Sequence, residues 1–167
     1  MSRSRRPAGC TIEIRSASEA ETRATGRRLA AALLALGGGC VALVGRLGAG
    51  KTVFVKGMAE ALGIEPRRIT SPTFVIMHVH ATGRAVLYHA DAYRVGTAAE
   101  FEEAISPALE KLHEGALLAV EWAERVATAL PPDRITVRME HLGVAEREIS
   151  ISGPAEALKP LGRSSGS

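Results

Sequence analysis

The octet GRLGAGKT at 45–52 follows the apolar run CVALV at 40–44, and no other stretch restricts the fold as strongly. It satisfies the pattern G-x-x-x-x-G-K-[ST] through Gly45, Gly50, Lys51 and Thr52, with strand-like residues before it and a helix-like run after it. That is the context in which the pattern forms a phosphate-binding loop. Gly45, Gly48 and Gly50 let backbone N–H groups converge on phosphate oxygens at the positive end of the following helix. Lys51 would reach the outer phosphates and the Thr52 hydroxyl would enter a Mg2+ shell. Arg46, Leu47, Ala49 and Val53 complete the segment expected to wrap the nucleotide.

Around this loop the chain alternates strands and helices. TIEIR at 11–15 predicts a strand. Ser18 with Glu21 forms a capping-box start for a helix to about Leu36, with Leu29, Leu33 and Leu36 on one face, stopped by glycines 37–39. CVALV reads as a buried parallel strand, and 51–62 as a helix carrying Val53, Val55, Met58 and Leu62 to a glycine stop at Gly63. FVIMHVH at 74–80 and AVLYHA at 85–90 flank ATGR as a hairpin. FEEAI and PALEKL, 101–112, read as helical pieces broken at Ser106-Pro107, because the residue before proline is pushed out of helical conformation. ALLAV at 116–120 is a second buried strand, followed by a short helical run AERVATAL closed by Pro131-Pro132. RITVRME and EREISIS supply two last strands. The expectation is a three-layer α/β domain of the P-loop NTPase type with a central mixed, mainly parallel sheet.

A chain of 167 residues suits one domain better than two, expected over 10–157 with a flexible stretch at 1–9 and a flexible Gly/Ser/Pro-rich tail at 158–167. The formal charge is +3, of which Arg3, Arg5 and Arg6 supply all, which argues against a body-wide nucleic-acid surface and against DNA as a partner. Two cysteines, Cys10 and Cys40, without C-x-x-C spacing point to packed thiols in a reduced cytoplasmic setting. No signal peptide is indicated, and LAAALLAL at 29–36 is too short to span a bilayer, so no membrane association is expected.

Two carboxylates compete for the metal. Asp91 follows VLYHA and Glu121 follows ALLAV. The second run is more uniformly apolar and is expected beside the loop strand, placing Glu121 near Mg2+ and Asp91 at the phosphate end as a water-orienting group. Trp122 would pack near the site, in the core or at an interface. The chain has no asparagine and no glutamine, so it lacks both the guanine-reading Asn-Lys-x-Asp pattern and a water-orienting glutamine. Arg46 and Arg94, with Arg84 less constrained, are the candidates for a cation near the γ-phosphate. His78 and His80 share a strand face but lack a carboxylate or cysteine to complete a metal set; His89 and His113 lie elsewhere. ITSPTF at 69–74, with Thr70, Ser71 and Thr73, sits where such proteins often carry a γ-phosphate-sensing loop.

Taken in order, GRLGAGKT, SPTF, HADAYR and VEWAER resemble the bacterial TsaE (YjeE) family, from about residue 18 to about 140. The resemblance implies a small P-loop ATPase that binds ATP and Mg2+ and acts on a TsaD–TsaB complex. It implies a requirement for threonylcarbamoyladenosine formation at position 37 of tRNAs reading ANN codons, with tRNA met through the complex. It carries phosphate and Mg2+ roles onto Lys51 and Thr52 and a metal role onto Glu121. Asp91 with Tyr93 and Arg94 takes the hydrolysis block, Thr73 the switch-like loop, and Trp122 a place beside the nucleotide. Arg46 departs from the family's acidic residue or asparagine, His78-Val79-His80 from its Asn-Glu-Tyr, and Ala90 and Ala92 from larger residues around Asp91. A small-molecule kinase and a non-hydrolysing nucleotide-dependent assembly factor are the alternatives.

Overall fold

The computed structural model describes residues 9–72, 74–83 and 85–162. Seven strands form one sheet: β1 (Gly9–Ser16), β2 (Gly39–Val44), β3 (Met77–Ala81), β4 (Val86–Asp91), β5 (Ala116–Glu121), β6 (Ile135–His141) and β7 (Arg147–Pro154). Their order is β1-β7-β6-β2-β5-β4-β3. The centre, β6-β2-β5-β4, is parallel, while β7 pairs antiparallel with β6 and β1, and β3 antiparallel with β4. Burial dictates this order: all six residues of β5 are buried, as a strand covered on both faces requires.

Helices α1 (Glu19–Ala35), α2 (Lys51–Ala61) and the short α4 (Ala155–Leu158) cover one face, and α3 (Ala98–Lys111) with two 3-10 turns covers the other. Ser18 caps α1 as its sequence predicts, accepting from the Glu21 N–H at 3.2 Å, while the Glu21 carboxylate accepts from the Ala17 N–H. The glycine stop closes with Gly38 N–H on the Leu33 carbonyl and Gly37 N–H on that of Leu34. Leu29 and Leu33 face the core, but Leu36, expected on the same stripe, is the exposed C-cap.

α1 and α2 cross so closely that glycine is required at the contact. A Cβ at Gly57 would stand 2.0 Å from the Arg23 carbonyl oxygen, and one at Gly26 would stand 2.2 Å from that of Phe54. Gly57→Ala is therefore expected to cost about 3 kcal/mol of stability, at the upper end for overpacking because backbone and not side chain must yield. Urea unfolding of the variant against wild type measures it.

Several sequence expectations are corrected. α3 runs unbroken through Pro107. The proline faces outward, as does Glu103, whose carbonyl loses its partner, while Phe101, Ile105 and Ala108 keep the buried stripe. β3 starts at Met77 and not at Phe74; Phe74 is 95% and Val75 52% exposed, outside the sheet. AERVATAL forms single 3-10 turns at Ala123–Arg125 and Ala127–Ala129. The composition of 158–167 suggests a frayed tail, yet Leu158 and Leu161 are buried and Arg28 donates to the carbonyls of Pro160 and Leu161. The expected flexible residues 1–8 and 163–167 lie outside the described residues. No helix among those described is long and apolar enough to cross a membrane. Cys40 is buried, which pushes its thiol up to about 12, and Cys10 is half-buried; neither is paired.

Candidate functional site

Parallel strands deliver their C-terminal residues to one edge. In the register, Leu43 of β2 stands beside Glu121 of β5, which stands beside Asp91 of β4. The expectation that Glu121 ends the strand next to the loop strand matches this arrangement, and Asp91 ends the strand beyond it. Such an edge, where loops leave a parallel sheet, is where open α/β proteins hold their ligands.

The loop 45–50 turns from β2 into α2. Gly50 is the N-cap of α2 in a left-handed conformation (φ 103°) and provides no side-chain cap, leaving the N–H groups of the first turn open to an anion. Lys51 is buried at 5% exposure, its Nζ donating to the carbonyls of Gly45 (2.5 Å) and Arg46 (3.0 Å). Burial pushes its pKa down, against the pull of the Glu121, Glu124 and Asp91 carboxylates. Its ammonium also lies 4.0 Å from the centroid of the Trp122 ring. Trp122 holds a left-handed backbone (φ 56°), unusual for a bulky residue, and its ring packs tilted against Tyr93 at a centroid distance of 4.9 Å, with Arg125 over the Tyr93 ring. Trp122 is thus at the site and not in the remote core.

Glu121 is the hub. Its Oε1 accepts from the Thr52 hydroxyl at 2.6 Å, and its Oε2 from Ser71 Oγ and His89 Nε2, each at 3.0 Å. Burial alone would raise its pKa, but hydrogen bonds and charge from His89, with the hydroxyls of Thr52 and Ser71, outweigh that and hold it below the ordinary carboxylate range. A carboxylate with a depressed folded-state pKa contributes stability that is present above its unfolded pKa, about 4.3, and lost as pH falls through the folded value. The melting temperature of wild type is accordingly expected to exceed that of Glu121→Gln at pH 7 by more than it does at pH 3. A difference that does not shrink on acidification overturns that expectation.

Asp91 accepts from Ser71 Oγ at 2.8 Å and from the Tyr93 N–H at 2.8 Å. Ser71, the residue before Pro72, therefore bridges both carboxylates. Thr73, expected in this loop, and Arg84 lie outside the described residues. Arg46 is exposed, as are Arg94 and Leu47, the latter at 81%. The loop is instead braced by Arg147 of β7, whose guanidinium donates to the carbonyls of Ala49 (3.0 Å) and Gly48 (3.4 Å) and to the β6–β7 turn. Arg147, His89 and the bridging role of Ser71 are the site features that sequence reasoning missed. The ITSPTF run marks Ser71 locally but not its bridging partners, and His89 shares only a strand face with Asp91, two residues on.

Two cavities meet here. One, of about 490 Å3, is lined by the loop, Thr52, Glu121, Trp122, Glu19, Thr22 and the β6–β7 turn. The other, of about 550 Å3, lies beyond Asp91 among Leu47, Phe74, Val75, Tyr93 and Arg94. His78 and His80 share a β3 face as expected, their rings 6.2 Å apart, and no cluster able to hold a metal through histidine, cysteine and carboxylates exists among the described residues.

A parallel sheet centre that turns through a glycine loop into an uncapped helix, with carboxylates at the ends of the neighbouring strands, makes this a P-loop NTPase-like protein. Comparison with known proteins narrows the class. The family model for the threonylcarbamoyl adenosine biosynthesis protein TsaE matches residues 16–149. The tRNA threonylcarbamoyladenosine biosynthesis protein TsaE of Treponema pallidum is 42% identical over 115 residues, 69% of this chain and 82% of that one. Its Bacillus subtilis counterpart is 38% identical over 150 residues, 90% of each. The crystal structure of Bacillus subtilis YdiB superposes with a TM-score of 0.70 at 30% identity, over 93% of this chain and 97% of that one. The chain belongs to the TsaE family.

Proposed function

We propose that this protein binds and hydrolyses ATP with Mg2+ in the biosynthesis of tRNA threonylcarbamoyladenosine, acting on a TsaD–TsaB complex that carries the tRNA. The observation that carries the reading is the 2.6 Å contact of Thr52 with Glu121 at the uncapped start of α2, one residue from Lys51. These residues fit the group: open N–H donors and an ammonium face the cavity, and a hydroxyl with an ionised carboxylate offers oxygen ligands suited to Mg2+.

Mg2+ would neutralise charge on the outer phosphate oxygens. Lys51 would exchange the Gly45 and Arg46 carbonyls for phosphate oxygens and stabilise the charge that develops on transfer. Thr52 and Glu121 would give up their mutual hydrogen bond and offer their oxygens to the cation. Asp91 would orient a water and accept its proton, with Tyr93 N–H keeping its carboxylate in place. Gly45 to Val53 and Trp122 would enclose the nucleotide, and Thr73 would belong to the sensing loop. The apolar Leu47, Phe74, Val75 and Tyr93, exposed around the second cavity, suit a partner that completes the site around Asp91.

A metabolite kinase would need cations closing over the transferred phosphate. The stretch 94–116 holds only Arg94 and Lys111 as such cations, and its helix α3 packs Phe101 and Ile105 into the core while carrying Glu100, Glu102, Glu103 and Glu110. Purified protein is expected to turn over ATP slowly alone and faster with TsaD and TsaB, and its depletion is expected to remove N6-threonylcarbamoylation from tRNA. Absence of both a complex and any stimulation overturns the proposal.

A further inference from the structure

Glu121 has three partners, and two of them have other work. Thr52 is the hydroxyl that would itself turn to a cation, and Ser71 divides its single proton between Glu121 and Asp91. The third, His89, approaches from β4, beside Ala119 and two residues deeper in the sheet than the Asp91–Glu121 pair. Its side chain is 0% exposed and its Nε2 lies 3.0 Å from Glu121 Oε2. An ionised carboxylate only accepts, so Nε2 carries a proton toward it, and Nδ1 is the ring nitrogen left over. Nδ1 is buried and has no hydrogen-bond partner among the described residues.

That orphan nitrogen is informative. The neighbouring residue on the same β4 face is Leu87, also 0% exposed, so an aliphatic side chain would fill such a position without burying an unpaired nitrogen. Packing does not account for an imidazole here; the Glu121 carboxylate does.

We infer that His89 is a positioning residue for Glu121: its Nε2–H holds Oε2 from the buried side and thereby keeps Oε1 turned toward Thr52 and the cation that the two would share. The inference rests on the proposed binding of Mg2+ and ATP and names a residue through which that binding depends on geometry. Groups that orient a metal-binding side chain in this way change metal affinity tenfold or more when removed. Gln at position 89 can present an N–H near the place of Nε2, whereas Leu offers none and Asn is too short to reach.

The test is calorimetric titration of Mg2+ into the ATP complexes of wild type, His89→Leu, His89→Asn and His89→Gln, with ATP binding without Mg2+ measured alongside. The Mg2+ midpoint is expected to rise at least tenfold in His89→Leu and His89→Asn and to return within about threefold of wild type in His89→Gln. ATP affinity without Mg2+ is expected to stay within about twofold throughout. Should His89→Leu fail to fold, the Asn and Gln pair makes the same comparison with two polar side chains. Unshifted midpoints overturn the inference, as does an equal loss in all variants that extends to Mg2+-free binding, which would mark His89 as a packing residue. If wild type itself shows no Mg2+ dependence, the metal reading falls and the inference with it; a normal wild type beside unshifted variants removes the inference alone.

Discussion

Replacing Lys51 by alanine is expected to lower ATP affinity by at least about 100-fold, since charge-assisted hydrogen bonds to phosphate contribute roughly 1.5–3 kcal/mol each and Lys51 can make two. The ammonium is already oriented. It is held by the carbonyls of Gly45 and Arg46 and lies against the Trp122 ring, so the protein keeps the charge at the mouth of the loop before any ligand arrives. Partial desolvation adds to its pull, because burial that pushes the pKa down also removes the water that would screen the charge. Calorimetry on Lys51→Ala measures the loss, and affinity within tenfold of wild type contradicts the phosphate role.

Replacing Asp91 by asparagine is expected to do the opposite. Its carboxylate lies a strand away from the loop, tied to Ser71 and the Tyr93 N–H, and touches neither Lys51 nor Thr52. Affinity for ATP should stay within about threefold, while partner-stimulated turnover should fall about 100-fold to 10,000-fold, the range for removing a general base. Single-turnover rates and binding isotherms on the same preparation separate the two quantities. Equal losses of affinity in the Lys51 and Asp91 variants would falsify this division of labour.

What the sequence shows and hides follows from the range of each interaction. The loop, the Ser18 cap, the glycine stops and the buried character of β2 and β5 are local, carried by neighbouring residues, and the structure keeps them. Glu121 beside the loop strand is a longer step, yet uniform burial along ALLAV is enough to reach it. Arg147 is different: in EREISIS it is one more polar residue of an alternating strand, and its grip on Gly48 and Ala49 exists only because β7 folds back along β6. His89 is hidden for the same reason, since its partner lies 32 residues away on β5. Phe74 and Val75 mislead in the other direction: their strand-like composition serves exposure beside Asp91 and not the sheet. Pro107 shows that a local rule yields when the strained side faces water and the buried stripe is intact.

The bridge made by Ser71 has a logical consequence. A hydroxyl owns one proton, and here two carboxylates, at 2.8 and 3.0 Å, compete for it. Occupying Glu121 alone leaves the proton to Asp91, and occupying Asp91 alone leaves it to Glu121; the tether survives either event. Only when both carboxylates are engaged at once does the Ser71 hydroxyl lose both of its acceptors.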